Sequence, residues 1–189
     1  MGAEEVDTTP FVVVITGAPG AGKTTLGWEL SRSLHVPFLS RDDIKTGLHV
    51  THRSNDPTEV WRFSESAFNL FFAVTHRLLA AKVSVVIEAA FHADRATESL
   101  EELAALATVL HIPMSTPTDV SLLRYRERAE SGSRHPAHND LHFAAAMEDG
   151  TKDLGVYEVV LPHSSLRVDA TDGWNPPIEE IVEFVKRSL

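Results

Sequence analysis

The residues Phe11-Val12-Val13-Val14-Ile15 form a continuous β-branched and aromatic run that leads almost directly into Gly17-Ala18-Pro19-Gly20-Ala21-Gly22-Lys23-Thr24. A run without alternation suits a strand buried on both faces. The following Lys23 to His35 carries Leu26, Leu30 and Leu34 at four-residue spacing, the signature of a helix with one apolar stripe. The order is therefore strand, glycine turn, helix. Gly17, Gly20 and Gly22 permit backbone angles closed to other residues and bring N–H groups close to a bound anion. The helix N-terminus adds its partial positive charge. These residues satisfy G-x-x-x-x-G-K-[ST] in the strand–turn–helix setting that gives the pattern its meaning.

The expected ligand of this loop is a nucleoside triphosphate with Mg²⁺. Lys23 would neutralise the β- and γ-phosphates, in binding and in catalysis, and the Thr24 hydroxyl is a hard oxygen ligand suited to Mg²⁺. Thr25 belongs to the same phosphate-facing set.

Further strands are expected at Val36 to Ser40, Val83 to Ala89, Thr108 to Ile112 and Ser165 to Val168. Helices are expected at Thr58 to Lys82, Ala93 to Ala107, Thr118 to Glu130 and Pro177 to Leu189. The long helix has Val60, Phe63, Ala67, Phe71, Val74 and Leu78 on one stripe. Alternating strands and helices imply a five-stranded parallel sheet with helices on both faces, and with the glycine loop and a small lid the chain resembles a P-loop NTPase of the nucleoside-monophosphate-kinase-like kind. Ligands in such sheets bind beyond the carboxyl ends of the strands. Residues 1–10 read as a flexible tail and 11–189 as one domain, with a small lid at about 129–138.

With 17 Lys and Arg against 27 Asp and Glu, the net charge of −10 disfavours a nucleic-acid partner. No cysteine is present, which removes disulfides and thiol chemistry and fits a cytoplasmic protein. The polar start is no signal peptide, and no apolar run approaches the ~20 residues needed to span a bilayer. The 10 histidines are scattered and form no zinc pattern.

After the second strand comes Ser40-Arg41-Asp42-Asp43-Ile44-Lys45. A carboxylate at this strand end would face the γ-phosphate opposite the leaving group, where a kinase needs a group to orient the attacking hydroxyl. Asp42 and Asp43 also stand where carboxylates favour a helix N-terminus. The glycine loop followed by Arg-Asp-Asp-x-Lys resembles the 5′-kinase domain of polynucleotide kinases. More broadly it is similar to the small P-loop kinases that include zeta toxins, chloramphenicol phosphotransferases and gluconate kinases. That resemblance implies that Asp42, the first carboxylate after the strand, is the general base, with Asp43 the alternative. It also implies that Arg41 and Lys45 reach the acceptor, although polynucleotide kinases have Arg where this chain has Lys45. Glu88 ends the third strand, where zeta toxins similarly carry a Glu that serves the substrate. From its position alone, Glu88 would hold a Mg²⁺-bound water or an acceptor hydroxyl. Arg95 would pair with Glu88, meet substrate or lie on the helix surface.

Arg124 and Arg128 are one helical turn apart on one face. Their spacing resembles the lid of nucleotide and polynucleotide kinases, which implies that Arg124 packs on adenine and Arg128 clamps the transferring phosphate. Arg134 in the lid is a third candidate, while Arg126 and Glu130 read as a surface pair. Asp169 to Pro176 forms the last loop, where the resemblance places the border of adenine, with Thr171 as a contact and Trp174 as either a wall or an anchor. The stretch Gly47 to Arg62, with His49, His52, Arg53 and Trp61, is expected to help form the acceptor pocket. The leading expectation is an ATP-dependent kinase acting on a hydroxyl of a small metabolite, nucleoside or antibiotic. The alternatives are a polynucleotide 5′-hydroxyl kinase and a non-kinase ATPase switch.

Overall fold

The computed structural model describes residues 9–52, 56–131, 140–151 and 153–189. Most of the N-terminal tail, Arg53, Arg134 and the expected lid tip lie outside these residues.

At the centre is β1 (Phe11–Thr16), with Val12, Val13, Val14 and Ile15 all at 0% exposure. It pairs in parallel with β3 (Val85–Glu88) on one side and β4 (Thr108–Ser115) on the other. Outside β3 lies β2 (Phe38–Ser40), and outside β4 lie two short pieces, β5 (Ser164–Ser165) and β6 (Val168–Asp169). The path is β2-β3-β1-β4-β5, with β6 also on β4. The expected fifth strand is thus broken in two, which makes the sheet six-stranded.

Alternate β1 residues feed two cores. Val12 and Val14 join Phe71, Leu79, Phe91 and Leu100 beneath α3 (Pro57–Ala80) and α4 (Ala93–Glu102). Val13 and Ile15 meet Leu26 and Leu30 of α1 (Lys23–Leu34), with Ile181 and Val185 of α7 (Ile178–Arg187). Each fully buried aliphatic or aromatic side chain contributes about 1.5–3 kcal/mol.

Three differences from expectation have local causes. The buried face of α3 is Ala67, Phe71, Phe72, Thr75 and Leu79, whereas Val74 is 38% exposed. The stripe is rotated because Phe72 and Phe71 both reach Phe91 beneath the helix. The helix expected over Ala93 to Ala107 tightens after Glu102 into a 3₁₀ turn, Leu103–Ala105, whose Leu103 is fully buried. One helix was expected only at its acidic start, Asp42 and Asp43, and another went unforeseen. α2 (Arg41–His52) starts directly where β2 stops, and α6 (Asp140–Glu148) folds back on α5 (Thr118–Ser131).

Phe71→Ala is expected to destabilise the fold by about 3–5 kcal/mol, the cost of a large core deletion. Val74→Ala should stay within about 0.5 kcal/mol, as surface changes do. Urea denaturation of both variants checks the rotation of the stripe, and equal losses would contradict it.

Candidate active site

The carboxyl ends of β1, β2 and β3 open onto one cleft of about 370 Å³. At one end is the glycine loop. Gly17 has φ +131°, and a Cβ there would sit 2.3 Å from the Met114 carbonyl oxygen, so only glycine fits against β4. Gly22, at φ +81°, caps α1 in the left-handed region. No acidic residue occupies the first turn of α1, which leaves that N-terminus electrostatically open to an anion. Lys23 is largely buried, and its Nζ donates to the Ala18 carbonyl at 2.9 Å, arching over the loop. Beneath the loop, Thr16 Oγ1 and His111 Nε2 are 2.8 Å apart. Burial holds the imidazole down at about 4, with Arg167 and His163 adding to the shift, so the ring is neutral at physiological pH.

Glu88 ties the end of β3 to β2 and to α1 at the floor. Its Oε1 accepts from the Ser40 hydroxyl at 2.6 Å and from the Thr24 hydroxyl at 3.1 Å. Burial raises its carboxyl above the usual carboxylate range, while Lys23 and the two hydroxyls oppose that rise and Asp42 reinforces it. Here a carboxylate stands behind the Thr24 hydroxyl. This donor set of hard oxygens suits Mg²⁺, and the glycine cradle with Lys23 suits a triphosphate.

At the end of β2, Asp42 lines the cleft and Asp43 is exposed. One Arg41 guanidinium nitrogen donates to Asp42 Oδ1 at 3.0 Å, and Arg41 and Lys45 also line the cleft. Between Lys45 and Ser64, no described residue lines it. His49 is buried instead, with His49 and His52 packed on Phe63, so the described part of the 47–62 stretch joins α2 to α3 rather than walling the cleft. Arg95 is exposed, ion-paired with Glu65 and lies over Phe68. It lines a small neighbouring recess, not the main cleft, and does not meet Glu88 in either ion pair or hydrogen bond.

At the lid base, α5 and α6 are packed together. Tyr125 stacks on Phe143 of α6, with centroids 5.1 Å apart, over a cluster that includes Ala144 and Met147. Arg126 pairs with Glu148 across the two helices, not with Glu130. The Arg128 guanidinium lies 4.5 Å from the Tyr125 ring centre and lines the cleft. Arg124 donates to the Gly20 carbonyl at 3.3 Å and to the Ala170 carbonyl at 2.6 Å. It also reaches the Thr171 carbonyl at 3.3 Å, which is how Thr171 enters this region. Beside it a second recess, about 400 Å³, is lined by Gly22, Thr25, Arg124, Arg128, Gly173 and Trp174. Trp174 both walls this recess and packs on the α1/α7 core.

Residues 12–151 match the family described as AAA domain (AAA_33). The chain belongs to that family. No curated protein sequence matches it. A crystal structure from Chloroflexus aurantiacus J-10-fl, provisionally designated a kinase, is 27% identical with a TM-score of 0.80, covering 96% of this chain and 100% of its own. A sugar kinase from Janibacter sp. HTCC2649, in unliganded form, is 19% identical with a TM-score of 0.57, covering 95% and 94%. A chain of the Pnkp1/Rnl/Hen1 RNA repair complex is 20% identical with a TM-score of 0.53, covering 81% of this chain and 50% of its own. The AAA-domain chain thus has a kinase-like P-loop fold. Among the described residues, no helix is long and apolar enough to cross a membrane.

Sequence patterns missed Ser64, His92, Tyr125, Phe143 and Tyr157, which also line the cleft. Only the position of Ser40 and Ala90 beside flagged strand ends gave any hint of neighbours, because the others arrive through tertiary packing.

The raised Glu88 carboxyl gives a pH test. Its unfolded value is near 4.5 and its folded value is higher. Above pH 4.5 the unfolded chain therefore ionises first, and wild type loses the stability that neutral Glu88 contributed. Glu88→Gln cannot titrate. The melting-temperature difference, variant minus wild type, should become more positive as pH rises from about 4.5. A flat difference would contradict the shift.

Proposed function

We propose that this chain is an ATP-dependent kinase that transfers the γ-phosphate to a hydroxyl group of a small molecule. The observation that carries the reading is that the Lys23–Thr24 cradle and the Asp42 carboxylate line one cleft, both within electrostatic reach of Glu88. A cleft of about 370 Å³ suits a small ligand rather than a strand of several nucleotides.

Each group then has a role. The loop N–H groups and Lys23 hold the β- and γ-phosphates, and the Arg124 recess takes the base. Mg²⁺ would be held at the Thr24 hydroxyl, with Glu88 behind it, and would neutralise phosphate charge there. Asp42 orients the acceptor O–H and takes its proton. The acceptor oxygen forms a bond to the γ-phosphorus as the bond from that phosphorus to the β–γ bridging oxygen breaks, and ADP leaves with the electron pair. Arg128 offers a planar fork to the charge on the transferring group. Arg41, by holding Asp42 Oδ1, fixes which oxygen turns toward the acceptor. A cytoplasmic location fits this chemistry because ATP is abundant there.

The central test is a labelled-phosphate transfer assay over nucleosides, sugars, aminoglycoside-type compounds and a 5′-hydroxyl oligonucleotide. Small alcohols should be labelled. Efficient labelling of the oligonucleotide, with steep salt dependence, would favour the polynucleotide alternative. Asp42→Asn should lower turnover by about 10²-fold or more while ATP affinity stays constant. A normal rate in that variant, with Asp43→Asn crippled, would move the base to Asp43. Arg128→Lys keeps the charge and loses the fork, so turnover should fall more than ground-state affinity. A change confined to the KM for ATP would make Arg128 a binding residue only.

A further inference from the structure

Tyr125 and Arg128 are three residues apart on α5, the spacing that brings two side chains together on one helical face. The Arg128 guanidinium lies 4.5 Å from the centre of the Tyr125 ring. Two other cations lie over rings among the described residues, Arg32 over Trp28 at 6.0 Å and Arg95 over Phe68 at 5.9 Å, the outer limit for such an attraction. Arg32 and Arg95 are exposed, and each has a carboxylate beside it. The Arg128 contact differs in its surroundings as well as in its length. Tyr125 is 4% exposed, and the Arg128 Nε and Nη2 atoms are shielded from solvent. A cation over a ring gains most where water is excluded.

The ring is itself held in place. Phe143 of α6 stacks on it with 22° between the planes, in the cluster with Ala144 and Met147. Stacking engages the face of a guanidinium, whereas its N–H donors project from the edge. Arg128 lines both the main cleft and the recess beside Arg124, in each case together with Gly20, Gly22 and Thr25. A nucleotide with its base in the recess and its phosphates in the cleft therefore passes this guanidinium. An arginine has many rotamers, and one that is fixed beforehand loses little freedom when charge develops on the transferring group.

We infer that Tyr125 is a positioning residue: its ring face, set by Phe143, holds the Arg128 guanidinium in the orientation that meets the transferring phosphoryl group. This rests on the kinase reading above and on the part that Arg128 plays in it. The π face of the ring does this, and the hydroxyl does not. The packing of α6 on α5 thereby reaches the phosphates through one ring and one cation.

The test measures the affinity of the full chain for Mg-ADP alone and for Mg-ADP with aluminium fluoride, which stands in for the phosphoryl group during transfer, so no acceptor has to be known. Wild type should bind the aluminium fluoride complex more tightly than Mg-ADP, by about 10²-fold or more. Tyr125→Leu removes the π face and should weaken that complex by about fivefold or more, within the range of a desolvated cation–π contact, while the affinity for Mg-ADP moves far less. Tyr125→Phe returns the ring without the hydroxyl and should recover most of the loss. Leucine also disturbs the packing on Phe143, so the face is tested at nearly constant shape as well: Tyr125→Phe is compared with the same variant carrying a 3,4,5-trifluorinated ring, whose face has lost its negative charge. Fluorination should weaken the aluminium fluoride complex on the same scale, with the melting temperature unchanged. In an Arg128→Ala background Tyr125→Leu should cost that complex nothing further, because the ring acts through Arg128. Equal losses in Tyr125→Phe and Tyr125→Leu, a loss shared by Mg-ADP, a fluorinated ring without effect, or an undiminished loss in the Arg128→Ala background would each overturn the inference. Wild type that does not bind Mg-ADP, or gains nothing from aluminium fluoride, sinks the kinase reading and this inference together. Wild type that passes both, with variants that fail in any of those ways, sinks this inference alone.

Discussion

The whole arrangement depends on β1 being buried on both faces between two parallel neighbours. Because Ile15 pairs with Glu88 on one side and Ile112 on the other, the register fixes the chain ends of β3 and β4 relative to the glycine loop. The next pairing outward, Ser40 with Glu88, does the same for β2. Three strand ends are thus held level by backbone hydrogen bonds deep in the sheet. The groups at those ends need no separate means of alignment.

Electrostatics then act on that fixed frame. Glu88 is a carboxyl that burial alone would keep neutral, set within reach of the Lys23 charge and two hydroxyls that favour the anion. Lys23 itself is buried and donates to the loop it belongs to. Opposed influences of this kind leave a group sensitive to whatever arrives next, and an arriving cation shifts the balance toward the anion. The polar floor is therefore prepared for charge without being committed to it.

The parts of this design that are local in sequence were legible there. Phe11 to Thr24 specify a strand, a turn and a helix by residue type alone, and Asp42 and Glu88 could be placed because they follow short apolar runs. Tyr157, His92 and Phe143 could not be found this way, since nothing in their neighbours' sequence states which cleft they face. The rotation of α3 was hidden for a related reason. Both Val74 and Phe72 are apolar, and only the position of Phe91 beneath the helix decides which is buried. α6 carries no strong apolar periodicity of its own and is held by Tyr125–Phe143 stacking on a neighbouring helix. The acceptor end draws on these tertiary placements more than the phosphate end does, which is why its chemistry was the harder to read.

Arg124 and Arg128 share one helix but have different surroundings. Arg124 grips carbonyl oxygens of the glycine loop and of the segment after β6, while Arg128, about 6 Å along the axis, lies over Tyr125 at the open cleft. Any swing of α5 that preserves the Arg124 bonds must turn about that point, as a lever turns on a fulcrum. Arg128, close to the pivot, then sweeps a short arc, whereas α6, coupled to α5 through Phe143 and Glu148, travels further. By that geometry, a displacement of the outer helix would reach the guanidinium over the cleft as a smaller adjustment.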